Sequence, residues 1–448
     1  MVWTQRTTIA EFKELIDSPE FDTLLADLQP ADLAEIVTLL EPSDRIAVFV
    51  RLSHDCSARV FEHLEPREQR LLLSALGSTK AREILGEMHS DDIADFVGEL
   101  HPEQAKAVLS LMPHEDAQEI RELLVYPENS AGGLMITEYL TLEQDHTVDQ
   151  AIAVIRANAC TNESVYYVYI TLQGRLVGVV SLRELILAAP HAILKAIMQD
   201  NVVTVLPTTD QEEVAQLLSK YDFLALPVVD AKNHILGLVT IDDVLDVLNE
   251  EATEDIAMLG GSQPLKEPYL NVPLLSMYKK RVTWLVALAL LLVLTSAIME
   301  RYEEVLHSMI ALTFFIPMLI AAGGNAGTQA ATLVIRGMAI GEINYRHWLK
   351  IAGRELVMGL MLGATIGLIG YGRAMMIGEP IELALTVSLS LLLVILLAVL
   401  TGALLPLVLL RLKIDPAILS SPFITTMVDV VGLLIYFAVA AFFLGIAV

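Results

Sequence analysis

The sequence predicts a multidomain membrane protein: an α-helical superhelical N-terminal domain, a tandem pair of α/β modules, an acidic connecting helix and an all-α membrane domain of five helices. Three observations carry that prediction. Charge is divided unevenly, since residues 1–275 hold 18 Lys+Arg against 46 Asp+Glu, whereas residues 276–448 hold 11 against 9. Five long apolar stretches crowd the second half, and two different internal repeats occupy the first.

The N-terminal domain, residues 1–130, is read from a twelve-residue period. Leu28, Leu40, Leu52, Leu64, Leu76, Met88, Leu100 and Met112 recur in register, and Pro30, Pro42, Pro66 and Pro102 each follow two residues later. Proline is tolerated in the first turn of a helix, where its missing N–H would have no partner anyway. One short helix per period, stacked on its neighbours, makes a superhelix and not a globule. The acidity of this soluble part argues against nucleic acid or anionic lipid as its partner and for metal cations or a basic protein face; a solubilising surface is the plainer alternative. Cys56 and Cys160 stand far apart and fit no metal or redox spacing. Glu11, Glu14 and Asp17 stand where a signal peptide would be basic and then apolar, so the front half is expected to stay in the cytoplasm.

A second duplication covers modules assigned to 131–200 and 201–252. Residues 176–185, LVGVVSLREL, align with 235–244, ILGLVTIDDV, each reading as a strand, a Ser/Thr turn and a helix. An apolar strand precedes each copy, at 165–170 and 224–229, and a helix precedes each strand, near 148–157 and 210–220. The tandem copies resemble a pair of CBS domains, which implies a regulatory disc that often dimerises. The last helix continues through Asp242, Asp243, Asp246, Glu250, Glu251, Glu254 and Asp255, and a connecting segment at 253–280 leads to the membrane. Like charges three or four apart destabilise a helix. Either this is a solvated linker, or a divalent cation between it and another domain offsets the repulsion. For Asp91, Asp92 and Asp95, at the start of one repeat, helix capping and metal binding are equally open.

Within the membrane domain, 281–448, spans are expected at about 282–299, 305–340, 355–377, 383–410 and 422–447. With the N-terminus inside, the inner loops carry nine Lys/Arg and the outer loops only Arg301 and Arg373, which fits the cytoplasmic (inner) membrane with the C-terminus outside. The second span is expected to be broken, because Pro317 and the small polar run 323–329, GGNAGTQ, interrupt it. Close packing through Gly323 and Gly327 is the alternative. Gly359, Gly363 and Gly367 predict packing in the third span, and Pro406 predicts a kink in the fourth.

In the last apolar run, from Phe423, Asp429 is the one charged residue, with no basic side chain to pair it. An isolated carboxylate in hydrocarbon costs several kcal/mol, so such a residue usually faces a polar cavity on an ion or proton path. Thr425 and Thr426 share its helical face, and oxygen ligands suit a hard cation. A helix-packing carboxylate bonded to a neighbouring span is the bland reading.

The helical repeats, the paired modules, the acidic helix and the five spans together resemble the MgtE family of magnesium channels, over essentially the whole chain. The most specific pieces are Gly323-Gly324-Asn325-x-Gly327-x-Gln329, Ile414-Asp415-Pro416 and Thr425-Thr426-Met427-Val428-Asp429. The resemblance implies a homodimer with a pore lined by the second and fifth spans, the connecting segment acting as a plug helix, and a gate closed by bound Mg²⁺. It implies Asp429, Thr425, Thr426 and Asn325 at the pore, and regulatory Mg²⁺ positions at Asp91, Asp95, Asp243, Asp246, Glu251, Glu254, Asp255 and Asp415. Some members bind adenine nucleotide such as ATP between the modules, and Arg183 and Phe223 are the candidate contacts here. Oxygen donors also accept Mn²⁺, Co²⁺ and Ca²⁺, so these are expected to compete. The rival readings are a proton- or sodium-coupled divalent-cation carrier and a membrane-anchored nucleotide sensor. Enzyme chemistry is the least supported class, since the sequence carries no nucleophile–base pair, phosphate loop or zinc cluster.

Overall fold

The twelve-residue period becomes one helix plus one turn. The computed structural model describes residues 9–16, 18–158, 166–265, 269–418 and 420–445. Asp17, Cys160, the first residue of the expected strand at 165 and the end of the last span lie outside the described residues. Two helices, α1 (Ile9–Leu15) and α2 (Phe21–Asp27), lead into α3 (Pro30–Thr38), α4 (Pro42–Arg51), α5 (His54–Glu62), α6 (Pro66–Ala75), α7 (Ser78–Leu85), α8 (Ser90–Gly98), α9 (Pro102–Leu109) and α10 (His114–Leu123). The four prolines are the first helical residues of α3, α4, α6 and α9. The repeat residue two places before each start is buried in the copies from Leu28 to Met88 and half-buried at Leu100 and Met112. Alternate helices stack, α3 on α5 and α5 on α7, α4 on α6 and α8 on α10, so that a helix too short to stand alone is held by packing.

The two α/β modules follow in the same unit, which ends at Leu248. The first contains β1 (Thr141–Glu143), α11 (Val148–Asn158), β2 (Tyr167–Leu172), β3 (Arg175–Ser181), α12 (Leu182–Leu187) and α13 (Leu194–Ile197). β1 runs parallel to β2, which pairs antiparallel with β3. The second contains α14 (Gln211–Tyr221), an antiparallel pair β4 (Ala225–Val229) and β5 (Ile235–Thr240), and α15 (Ile241–Leu259). Both copies use one joint between strand and helix. Ser181 Oγ accepts the Glu184 N–H at 3.2 Å while Glu184 accepts the Ser181 N–H at 2.8 Å, and Thr240 Oγ1 donates to Asp243 at the matching place. Ile136 and Leu238 exchange backbone hydrogen bonds of 2.8 and 2.9 Å, so the start of the first module, ahead of β1, is paired with the second.

In the second unit, Asn249–Val448, five helices are long and apolar enough to cross a membrane. They are Leu274–Arg301, Ile316–Ala339, Trp348–Met376, Ile381–Arg411 and Ser421–Leu444, called here the first to fifth spans. The fourth packs against the second, third and fifth, and the second packs against the fifth. The expected break at 323–329 is corrected: that run is helical throughout. The interruption lies at Met309 (φ −148°, ψ 86°), between a short helix at Glu303–Ser308 and a 3₁₀ turn at Ile310–Phe314. Pro317 stands in the first turn of the second span, where proline starts a helix and need not bend it. The glycines serve close approach instead. A Cβ on Gly324 would lie 2.7 Å from Thr425 Cγ2, and one on Gly402 of the fourth span would overlap the Gly327 carbonyl. In the third span Gly359, Gly363 and Gly367 face Leu396, Leu392 and Ser388, while Pro406 lies inside the fourth helix without ending it.

Because the backbone facing Gly402 cannot swing away, Gly402→Ala is expected to lower stability by about 1–3 kcal/mol, the range for overpacking a tight interior. A Cβ on Gly372 meets nothing within 4 Å, so Gly372→Ala is the silent control. Thermal midpoints of the two variants in the same detergent check the pair.

Candidate functional site

The fifth span carries three oxygen-bearing side chains, Thr425, Thr426 and Asp429, within two turns of helix. Ser420 accepts the Phe423 N–H at 3.3 Å and caps the helix, and Pro422 occupies its first turn. Thr425 and Thr426 then donate their hydroxyl protons to the carbonyls of Ser421 and Pro422, at 2.9 and 2.8 Å. A hydroxyl whose proton is spent on its own helix has only acceptor capacity left, which is the polarity a cation requires. One turn further on, Asp429 is buried, and its Oδ1 has no hydrogen-bond partner among the described residues. Gly324 of the second span lies against Thr425, so the small-residue run and the Thr-Thr-x-x-Asp segment meet. Asn325 and Gln329, on the same run, are exposed.

The acidic candidates sort into two groups. At the start of α15, Asp243 lies with Asp242 and Asp246, and Asp92 of α8 stands against them. Burial first, and then the neighbouring carboxylates, push both Asp92 and Asp243 above the usual carboxylate range. Glu62, at the end of α5, is pushed up to about 7 by burial and then by Asp92. Beyond residue 249, Asp255 is pushed up to about 6, by burial first, then by Asp415, Glu251 and Glu254. Burial, Glu251 and Asp415 raise Glu254 as well. Thus Glu251, Glu254 and Asp255 of α15 are brought beside Asp415, which precedes a 3₁₀ turn at Pro416–Ile418 ahead of the fifth span.

In α8, Asp91 is buried and Asp95 exposed. Sequence reasoning named Asp92 with Asp91 and Asp95 without placing it against α15, and it missed Glu62, which stands beside Asp92. Adjacent helical residues point about 100° apart, so the Asp91-Asp92 pair signals acidity without saying which side α15 takes. Glu62 carried no signal, since only the stacking of α5 near α8 makes it a neighbour. Among the described residues no three His, Cys, Asp or Glu side chains are grouped so as to hold a metal ion.

The two candidate nucleotide contacts separate. Phe223, stacked on Tyr221 at 5.3 Å between ring centres, lines a cavity of about 80 Å³ with Tyr167, Tyr169, Ser181, Asn201 and Ala225. Arg183 lines an adjoining pocket of about 510 Å³ that shares Tyr167 and Ser181.

A family model described as the divalent cation transporter MgtE matches residues 316–439, that of the MgtE intracellular N domain matches 28–129, and that of the CBS domain matches 131–191 and 194–250. A magnesium transporter MgtE of Thermus thermophilus is 39% identical over 428 residues, 95% of each chain. The chain belongs to the MgtE family. A magnesium transporter MgtE of Bacillus subtilis is 33% identical over 95% of this chain and 94% of its own length. Two solved structures resemble the part before the membrane. The cytosolic domain of the Mg²⁺ channel MgtE in complex with ATP covers 54% of this chain and all of its own, at 37% identity and a TM-score of 0.52. The soluble part of a magnesium transporter covers 55% of this chain and 98% of its own, at 35% identity and a TM-score of 0.52. MgtE membership thus accounts for both units: the helical repeat and CBS pair in front, the apolar helices behind.

A carboxyl whose folded pKa lies above its unfolded value binds more protons when folded, so stability falls as pH rises between the two values. The first-unit cluster is therefore expected to lose stability from about pH 4 to pH 7 when divalent cations are absent. Asp92→Asn should flatten that slope and stabilise the protein at pH 7.5 by on the order of 1–2 kcal/mol. Thermal midpoints measured across that range in chelator check both statements.

Proposed function

We propose that this MgtE-family chain is a magnesium channel of the cytoplasmic membrane, a homodimer that admits Mg²⁺ and shuts when Mg²⁺ accumulates inside. The observation that carries the proposal is Asp429: a buried carboxylate with one oxygen unbonded among the described residues, one turn beyond two threonines whose hydroxyl protons are given to their own helix. The relatives named magnesium transporters support Mg²⁺ as the cargo, and the excess of Lys and Arg on one side supports a cytoplasmic N-terminus.

Mg²⁺ gives up water reluctantly and keeps octahedral geometry, so a site that stripped it fully would have to replace costly hydration. Two Asp429 carboxylates, one from each subunit, match its charge and hold it through its waters. Thr425, Thr426 and the Asn325 amide line the path and accept hydrogen bonds from the same waters. This wet mode also suits the acidic groups, which hold Mg²⁺ without a compact ligand set.

Gating follows from repulsion. Without cation the acids around Asp92 and Asp243, and those around Asp255 and Asp415, repel; with Mg²⁺ between them they draw together, Asp91, Asp95, Asp246, Glu251 and Glu254 adding to the field. A site filled to tenfold above its dissociation constant contributes roughly 1.4 kcal/mol, while moving an equilibrium from mostly open to mostly shut takes about 5.5. On the order of four weak sites are needed. Adenine nucleotide in the cavity at Phe223, with Arg183 alongside, would adjust the same equilibrium.

Asp429→Ala is expected to leave a folded dimer by gel filtration and to abolish Mg²⁺ uptake into reconstituted vesicles; uptake at the unmodified rate would refute the pore assignment. Patch-clamp recording should give unitary currents, which a coupled carrier does not. A variant lacking residues 1–275 is expected to stay open as internal Mg²⁺ rises, and closure at the usual concentration would place the sensor elsewhere.

A further inference from the structure

We propose that the membrane unit binds an anionic phospholipid in a pocket between the end of α15, the start of the first span and the loop before the fifth. After α15 the chain turns back sharply. Gly261 takes φ +73°, its N–H donates to the Met258 carbonyl at 2.8 Å, and the Ser262 N–H donates to the Ala257 carbonyl at 2.9 Å. A Cβ at Gly261 would lie 2.8 Å from Trp284 Cδ1, so only glycine allows the turn to rest on that indole. Trp284 is fixed in turn, its Nε1–H donating to Ser420 Oγ at 2.7 Å. These contacts frame a pocket of about 220 Å³ walled by Met258, Trp284 and Ile418 and bordered by Lys280 and Thr283.

The chemistry of that lining selects a ligand with two unlike ends. Its apolar walls suit a short length of hydrocarbon. Its one cation among the described residues, Lys280, already donates to the Pro264 carbonyl, and an ammonium has three donors, so two remain for an acceptor at the mouth. Among the described residues no carboxylate lines the pocket. Lys279 and Arg281 flank Lys280 and are exposed, and the apolar run of the first span starts at the next residue. The pocket therefore lies where acyl chains end and headgroup phosphates begin, the level at which Trp and Lys/Arg anchor membrane helices. A basic run there favours anionic over zwitterionic headgroups. A bound lipid would brace the end of α15, one turn after Asp255, against the first span.

The chain has three tryptophans, so Trp3→Phe with Trp348→Phe leaves Trp284 as the sole emitter. Its fluorescence is measured in vesicles containing phosphatidylglycerol or phosphatidylcholine brominated on the acyl chains, bromine quenching an indole in contact. The expected result is a relative binding constant of about fivefold for the anionic lipid, the preference one cation supplies. Lys280→Gln should bring it close to one, and Lys280→Arg should keep it. Equal quenching by the two lipids overturns the proposal, as does an unchanged preference in Lys280→Gln. Glycerol phosphate added in solution should leave the quenching as it was; if it abolishes the preference, the site takes a soluble phosphate and the lipid assignment fails. Transport is not read, so the outcome is independent of the role given to Asp429.

Discussion

A buried acid with no counter-charge among the described residues is the constraint around which the membrane unit is arranged. Asp429 is buried on the fifth span, and its Oδ1 is unbonded among the described residues. The threonines one turn before it spend their protons on their own backbone, so they offer it no hydrogen bond. Such a group raises the free energy of the folded protein unless something positive arrives from outside. In the proposed channel that arrival is the function, and hydration of the ion sets how wide the meeting place must be.

The glycines of the second span belong to the same arrangement. At the cost of helix propensity, Gly323, Gly324 and Gly327 let the second span lie directly against the fourth and fifth, with Gly324 against Thr425. Their polar companions Asn325 and Gln329 fall on the exposed side of the same helix. One short run thus combines a packing face with a polar face, a division that follows from the helical period and the order of residues within it.

Charge repulsion plays the corresponding part in α15. Asp243 stabilises the helix start by pairing with Thr240, yet it also stands in the field of Asp242, Asp246 and Asp92. Towards its other end Glu251, Glu254 and Asp255 crowd Asp415. A helix so loaded is tolerated because its apolar positions Val244 and Val247 are buried and hold it in place.

Sequence alone determined the main elements and their order, though not β1 or α13, and it put the interruption of the second span at the wrong place. The twelve-residue period, the duplicated strand–turn–helix, the five apolar runs and the lone Asp429 are local patterns, and local patterns fix where helices and strands begin and which faces are apolar. Contacts between elements far apart in the chain were settled only by the tertiary structure. The glycine run stayed helical because neighbouring spans close on it. Ile136 joined the second module because a strand edge was free there, and Asp92 joined the α15 cluster, with Glu62 beside it, because stacked repeats brought α5 and α8 together. The physical reason is common to all three: hydrogen bonds and hydrophobic period act over a few residues, whereas packing and charge repulsion act through space and depend on neighbours that spacing along the chain does not identify.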